Sequence, residues 1–180
     1  MMENFKLSGL DQISIWRNES PIEAFKSKIF YEDCVQATQI EGLKADLDFV
    51  MELKQPRGPR CLYGLLGVKI RFANERILKI KVGDGQAETR LYVGSMLDKI
   101  EIPYYGFPEG VAESVLYTLQ KEMRESQPMF AGSMEVCFGA HGQISSNPYV
   151  FKLLSRALPK VLFMESLSSD LLTELFLSLR

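Results

Sequence analysis

The chain has 180 residues, 46% of them hydrophobic and 24% charged, and a formal net charge of -2. That length suits one domain whose continuous core needs neither disulfide nor metal support. No apolar run nears the roughly 18 residues that a membrane span requires. With so little net charge there is no whole-protein attraction for a polyanion, so nucleic acid could be held only by a local basic patch.

Met1 to Leu10 lacks the apolar core of a secretory signal. The three cysteines, Cys34, Cys61 and Cys137, are an odd count at wide spacings, which frames neither a disulfide scaffold nor a zinc site. Reduced thiols in a cytoplasmic protein are the expectation.

Residues 1–27 mix turn formers (Ser8, Gly9, Ser20, Pro21) with scattered apolar residues, including the single tryptophan, Trp16. They read as an N-terminal arm with at most a short helix. Lys28 to Thr38 is aromatic and β-branched enough for a strand. Lys44 to Lys54 alternates, with Ala45, Leu47, Phe49, Met51 and Leu53 inward and Lys44, Asp46, Asp48, Val50, Glu52 and Lys54 outward, the pattern of a half-buried strand. Two prolines and a glycine in Gln55 to Arg60 predict an irregular loop, closing a hairpin onto a strand over Leu65 to Phe72. Ala73 to Arg76 then reads as a tight turn into an antiparallel strand over Ile77 to Val82, ended by Gly83-Asp84-Gly85.

From Pro108 onward, Val111, Val115, Leu119 and Met123 form an apolar stripe that predicts a helix as far as Glu125. A strand is expected at Met134 to Phe138 and a turn at Gly139 to Gly142. Ser145, Ser146, Asn147 and Pro148 then cap a helix over Tyr149 to Leu158. Leu162 and Phe163 read as a short strand, and Ser168-Ser169-Asp170 caps a last amphipathic helix carrying Leu171, Leu172, Leu175, Phe176 and Leu179. The expected class is α+β: a mostly antiparallel sheet with helices packed on one face. Residues 28–166 form its body and 167–180 a terminal helix, within one compact domain.

The usual signatures of catalysis are missing. No glycine-rich run is followed by the lysine and hydroxyl of a phosphate loop. With one histidine, His141, a histidine-rich metal site is excluded, and Cys137 four residues away is not expected to pair with it across a turn. Asp46 and Asp48 lie on an outward strand face, where carboxylates are ordinarily solvated. Ser145 and Ser146 are better cap residues than nucleophiles. No enzyme activity, cofactor, metal or nucleotide is expected.

Two segments, in order, resemble domain IV of elongation factor G and of the tetracycline ribosome-protection proteins. Gln55-Pro56-Arg57-Gly58-Pro59-Arg60-Cys61-Leu62-Tyr63-Gly64 is similar to that family's Q-S-G-G-R-G-Q-Y-G turn and strand, with one residue added. Phe138-Gly139-Ala140-His141-Gly142-Gln143-Ile144-Ser145-Ser146-Asn147-Pro148-Tyr149-Val150-Phe151-Lys152-Leu153 is similar to its F-G-S-Y-H-D-V-D-S-S-E-x-A-F-K-L. Between them, the helix followed by Ser126-Gln127-Pro128 sits where the family has a helix and S-G-P.

The resemblance covers about residues 28 to 165 and implies a left-handed β-α-β crossover, against the usual right-handed rule. It also implies a tip that meets ribosomal RNA and tRNA, made of Arg57, Gly58 and Arg60 in one loop and His141, Gly142 and Gln143 in another. Arginines on a stiff loop can hold phosphates at little ordering cost, and a histidine can stack on a base. The other reading is that both arginines are solvated loop charges and His141 a hairpin residue with a local hydrogen bond. The family's GTPase domain has no counterpart in the chain, and prolines replace its loop glycines.

Two functions follow as expectations: a non-catalytic, ribosome- or RNA-associated translation-factor-like domain, or a protein-interaction module on the same fold. The second would use a protein partner or a homodimer through an exposed face of Leu171, Leu175 and Leu179.

Overall fold

A computed structural model of the chain describes residues 1–9, 11–27, 30–37, 46–73, 76–85, 90–97, 100–126 and 130–179. The elements in order are β1 (Met2–Lys6), β2 (Gln12–Arg17), β3 (Phe30–Gln36), β4 (Leu47–Arg57), β5 (Arg60–Phe72), β6 (Ile77–Gly83), β7 (Tyr104–Tyr105), α1 (Val111–Ser126), β8 (Gly132–His141), α2 (Pro148–Leu162) and α3 (Ser169–Ser178). The fold is α+β. One sheet runs β1-β2-β4-β5-β8-β6-β3, with β7 also paired to β8. Among the described residues only β6 and β8 pair in parallel, with α1 between them in the chain.

Helix α1 buries Val111, Val115, Leu119 and Met123, the stripe read from the sequence, and α2 buries Phe151, Leu154 and Leu158. These side chains share one core with Ile13 and Ile15 of β2, Phe49, Met51 and Leu53 of β4, and Leu66, Val68 and Ile70 of β5. Asn147 caps α2 by accepting from the Val150 amide, with Pro148 in its first turn. Ser168 caps α3 in the same way through the Leu171 amide.

Several expectations are corrected. The N-terminal segment is no arm with a helix: β1 and β2 extend the sheet, β2 pairing with β4 from Gln12↔Lys54 to Arg17↔Phe49. Strands β5 and β6 form no hairpin, because β8 inserts between them, antiparallel to β5 and parallel to β6. Pairing with a strand distant in sequence leaves no local signal. The prolines of the first loop also do not break the ladder. Strand β4 runs through Pro56 to Arg57, and only Gly58 and Pro59 form the turn. Gly58 at φ 61 followed by proline suits a II′ hairpin. Pro56 is tolerated because β2 ends opposite Lys54, so no neighbour there needs its missing N–H.

Strand β8 likewise continues past its glycine to His141. A Cβ on Gly139 would lie 2.7 Å from the Phe107 ring, which is itself wedged edge-on between Phe25 and Phe151. Gly139→Ala is therefore expected to cost about 1–3 kcal/mol through overpacking, read as a lower urea midpoint with unchanged slope. Leu162 ends α2 and Phe163 is its C-cap, so the two form no strand. Lys28, Ile29, Thr38, Lys44, Ala45, Gln127 and Pro128 lie outside the described residues.

The face of β4 expected to meet solvent is largely covered. Val50 joins Trp16, Ile22, Leu65, Tyr92, Cys137, Phe138 and Ala140 in a second cluster, on the side of the sheet away from the helices. Glu52 is buried beside it, where its Oε1 accepts from the Tyr63 hydroxyl at 2.8 Å and the Met96 amide at 3.0 Å. Lys54 donates to the Met96 carbonyl. Further along the same face the expectation of solvated charge is met, and the register sets Glu32, Lys81, Glu135, Lys69 and Asp48 side by side across five strands. Signs alternate along that row, as cross-strand pairing favours.

Candidate functional site

The two loops implied by the resemblance lie at the same end of the sheet. Beyond Lys54 strand β4 loses β2, and beyond Leu65 strand β5 loses β8, so the β4–β5 hairpin projects past its neighbours. Arg60 is five residues beyond Leu65, about 17 Å at strand rise. His141 is one residue past the Leu65↔Ala140 pair. The structure therefore puts the loops on one edge of the molecule without bringing their side chains into one cluster.

The hairpin is pinned from the N-terminal segment. Asp11, buried in the turn between β1 and β2, accepts from the Arg57 guanidinium at 3.0 and 3.3 Å and from the Gln55 amide at 2.9 Å. Arg57 is thus an exposed charge with part of its donor set committed to an ion pair with Asp11. The Arg60 side chain is exposed, with no ion-pair or hydrogen-bond partner among the described residues. Gly58 shapes the turn.

The second loop is organised by Glu101, which the sequence reading did not single out. Its carboxylate accepts from the Ile144 and Ser145 amides at 3.3 and 3.1 Å. The Gly142 amide donates to the Ser146 hydroxyl, which donates to the Tyr63 carbonyl, while the Tyr63 amide donates to the Ser145 carbonyl. Gly142 is buried; a Cβ there would meet the Ser145 hydroxyl and Glu101. Gln143 is exposed.

His141 faces inward, with Nδ1 3.1 Å from the Gly106 carbonyl and its ring beside Tyr104 at 6.1 Å between centroids. A carbonyl can only accept, so Nδ1 carries the proton and Nε2 is an acceptor. Burial lowers the imidazole pKa below its usual value, against the smaller upward pulls of the Gly106 carbonyl and Glu101. The ring is therefore neutral at pH 7 and supplies no cation for a phosphate. His141 ends strand β8 and its hydrogen bond reaches Gly106, 35 residues earlier, so it is neither a hairpin residue nor locally bonded.

Cys137 and His141 are no catalytic pair: they stand on one strand, not across a turn, about 13 Å apart at strand rise. Burial pushes the Cys137 thiol up to about 12, the opposite of what a nucleophile needs. All three cysteines are free thiols. The groove between α1 and α2 is lined by Tyr117, Lys121, Glu122, Lys152 and Arg156. Its most buried charge, Glu122, already takes Arg156 at 3.2 Å and also Lys160, so it presents no poised acid or base. The described residues hold no group of three potential metal ligands and no helix long and apolar enough to cross a membrane.

The homodimer face expected on α3 is incomplete. Leu179 is buried and Leu175 partly packed on the core, leaving Leu171 and Leu177 exposed. No protein-family model, curated protein or solved structure matches the chain.

Proposed function

We propose that the chain is a non-catalytic binding domain of the elongation factor G domain IV kind, including the left-handed crossover, and that it meets ribosomal RNA through the β4–β5 hairpin. The observation that carries this reading is the hairpin itself: a two-stranded extension that outruns both neighbouring strands, is held rigid by Asp11, and ends in an exposed arginine. A preorganised cation of this kind can contact phosphates with little ordering cost. The chain order β4-β5-β6-α1-β8-α2, with β6 and β8 parallel on either side of α1, is in keeping with the crossover that the resemblance implies.

Arg60 and Arg57 have separate roles in this proposal. Arg60 supplies the phosphate contact, while Arg57 mainly holds the hairpin in place. Co-sedimentation with ribosomes over a salt series tests it. Arg60→Ala is expected to weaken binding and reduce the slope of log affinity against log salt by about one, with unchanged urea stability. No salt-sensitive pelleting of the wild-type chain, or an unchanged slope in the variant, rejects the RNA reading. The alternative, a protein-interaction module, is favoured by Ile144, an exposed apolar side chain in the loop beyond His141.

A further inference from the structure

Helices α1 and α2 leave a cleft of about 360 Å³ between them. One stripe of α1, Ser114, Tyr117, Lys121 and Glu125, lines it at helical spacing, and Lys152 and Arg156, about one turn apart, line it from α2. Its floor is closed by Thr118 and Glu122, each 6% exposed. There Thr118 Oγ1 donates to the Ser114 carbonyl, and the Glu122 carboxylate accepts from Arg156 Nε at 3.2 Å and from Lys160. Arg156 Nη1 donates to the Leu179 carbonyl at 2.6 Å, which fixes the guanidinium.

The walls differ from the floor, because their groups are not used up within the molecule. Tyr117 is 68% exposed, so an aromatic ring stands uncovered at the cleft. Lys152 is exposed and has no ion-pair or hydrogen-bond partner among the described residues. Lys121 meets Glu125 at 3.9 Å, between side chains 61% and 63% exposed, a contact of little worth in water. Glu122 is neutralised from two sides. Lys121, Lys152, Arg156 and Lys160 thus stand against two carboxylates, Glu122 and Glu125, in a chain whose net charge is -2.

From this arrangement we infer that the α1–α2 cleft binds a nucleotide, with the base against Tyr117 and the phosphate between Lys121 and Lys152. A bare aromatic face stacks on any base. Two weakly held ammonium groups, one from each helix, suit the doubled charge of a phosphate. The volume is that of a small-ligand site, too small for a folded partner. The grip comes from side chains of two helices and needs no glycine-rich loop, which the sequence lacks. Arg60 has no part in it, so the inference does not depend on the RNA reading of the hairpin.

Adenosine monophosphate titrated into the full chain, and followed by amide shifts, tests this. Saturable shifts are expected at Ser114 to Lys121 and Lys152 to Arg156, with adenosine and inorganic phosphate each binding at least about tenfold more weakly. Tyr117→Ala and Lys152→Ala should each weaken binding by about tenfold or more, whereas Tyr117→Phe, which keeps the ring, should bind as wild type does. Both alanine variants should keep the wild-type urea midpoint, since both side chains are exposed. Arg60→Ala should bind the nucleotide undiminished, which separates this site from the hairpin. A short single-stranded oligoadenylate distinguishes the source of the nucleotide. Tighter binding than the monophosphate, lost in Tyr117→Ala, assigns the cleft to a strand, and weaker binding assigns it to a free nucleotide. The inference is overturned by the absence of saturable shifts up to about 10 mM, by a footprint elsewhere, by inorganic phosphate binding as tightly as the nucleotide, or by either alanine variant binding undiminished.

Discussion

Between pH 9 and pH 12 the native state is expected to lose roughly 4 kcal/mol through one thiol. Cys137 is buried in the second cluster, and its pKa rises from 9.0 to about 12, chiefly because burial disfavours the thiolate and secondarily because of the Glu135 charge. The unfolded chain releases this proton near pH 9 while the native chain keeps it, so the native state binds more protons across the interval and its stability falls as pH rises. Tyr63 acts in the same direction from pH 10 upward: burial, then the charge and hydrogen bond of Glu52, hold its hydroxyl well above the usual value. Urea unfolding of wild type and Cys137→Ala at a series of pH values isolates the thiol. Wild type should start ahead and lose that advantage with rising pH; a constant difference from pH 8 to 11 would show that the thiol titrates alike in both states.

Asp11→Ala is expected to destabilise the chain by about 2–3 kcal/mol, more than Arg57→Ala does. Asp11 is buried and accepts from both Gln55 and Arg57. Its loss strands the amide of Gln55, itself buried, whereas the half-exposed Arg57 can turn back to water. With Arg57 half-exposed, the ion pair is expected to contribute about 1 kcal/mol, so most of the effect comes from the amide. Unfolding midpoints of the two single variants and the double variant check this as a cycle. Equal losses for the two single variants would mean that the pair is an ordinary surface contact. The Asp11 variant should also bind ribosomes less well despite removing a negative charge beside Arg57, since a loosened hairpin loses the preorganisation on which the proposed contact depends.

Much of the fold was legible in the chain wherever a residue answers to its own neighbours. The stripe from Val111 to Met123, the caps at Asn147 and Ser168, and the inward side of β4 are periodicity and local hydrogen bonding, which act over a few residues. The reading failed where a partner comes from afar. Val50 and Glu52 alternate as though outward, but a ribbon some 40 residues later in the chain closes over them; an apolar Val50 on the supposed wet side was the available hint. The aromatic and β-branched runs at Leu91 to Val93 and Ile102 to Tyr105 were another.

The candidate site divides in the same way. The arginines and the single histidine could be read from the chain as loop residues, whereas the Gln55 to Arg60 stretch was expected to be irregular and is a strand end with a tight Gly58-Pro59 turn. The working states of these side chains could not be read. Arg57 is committed by Asp11 from 46 residues away, and the loop beyond His141 by Glu101 from 43 and 44 residues away. Composition and periodicity alone determined the α+β class, the helices and their caps, since those depend on short-range backbone bonding and on which face is apolar. Only the tertiary structure decided that β8 slips between β5 and β6, and that Arg57 is ion-paired with Asp11 while Arg60 is not paired among the described residues. Each of those follows from contacts between segments whose meeting no local pattern encodes.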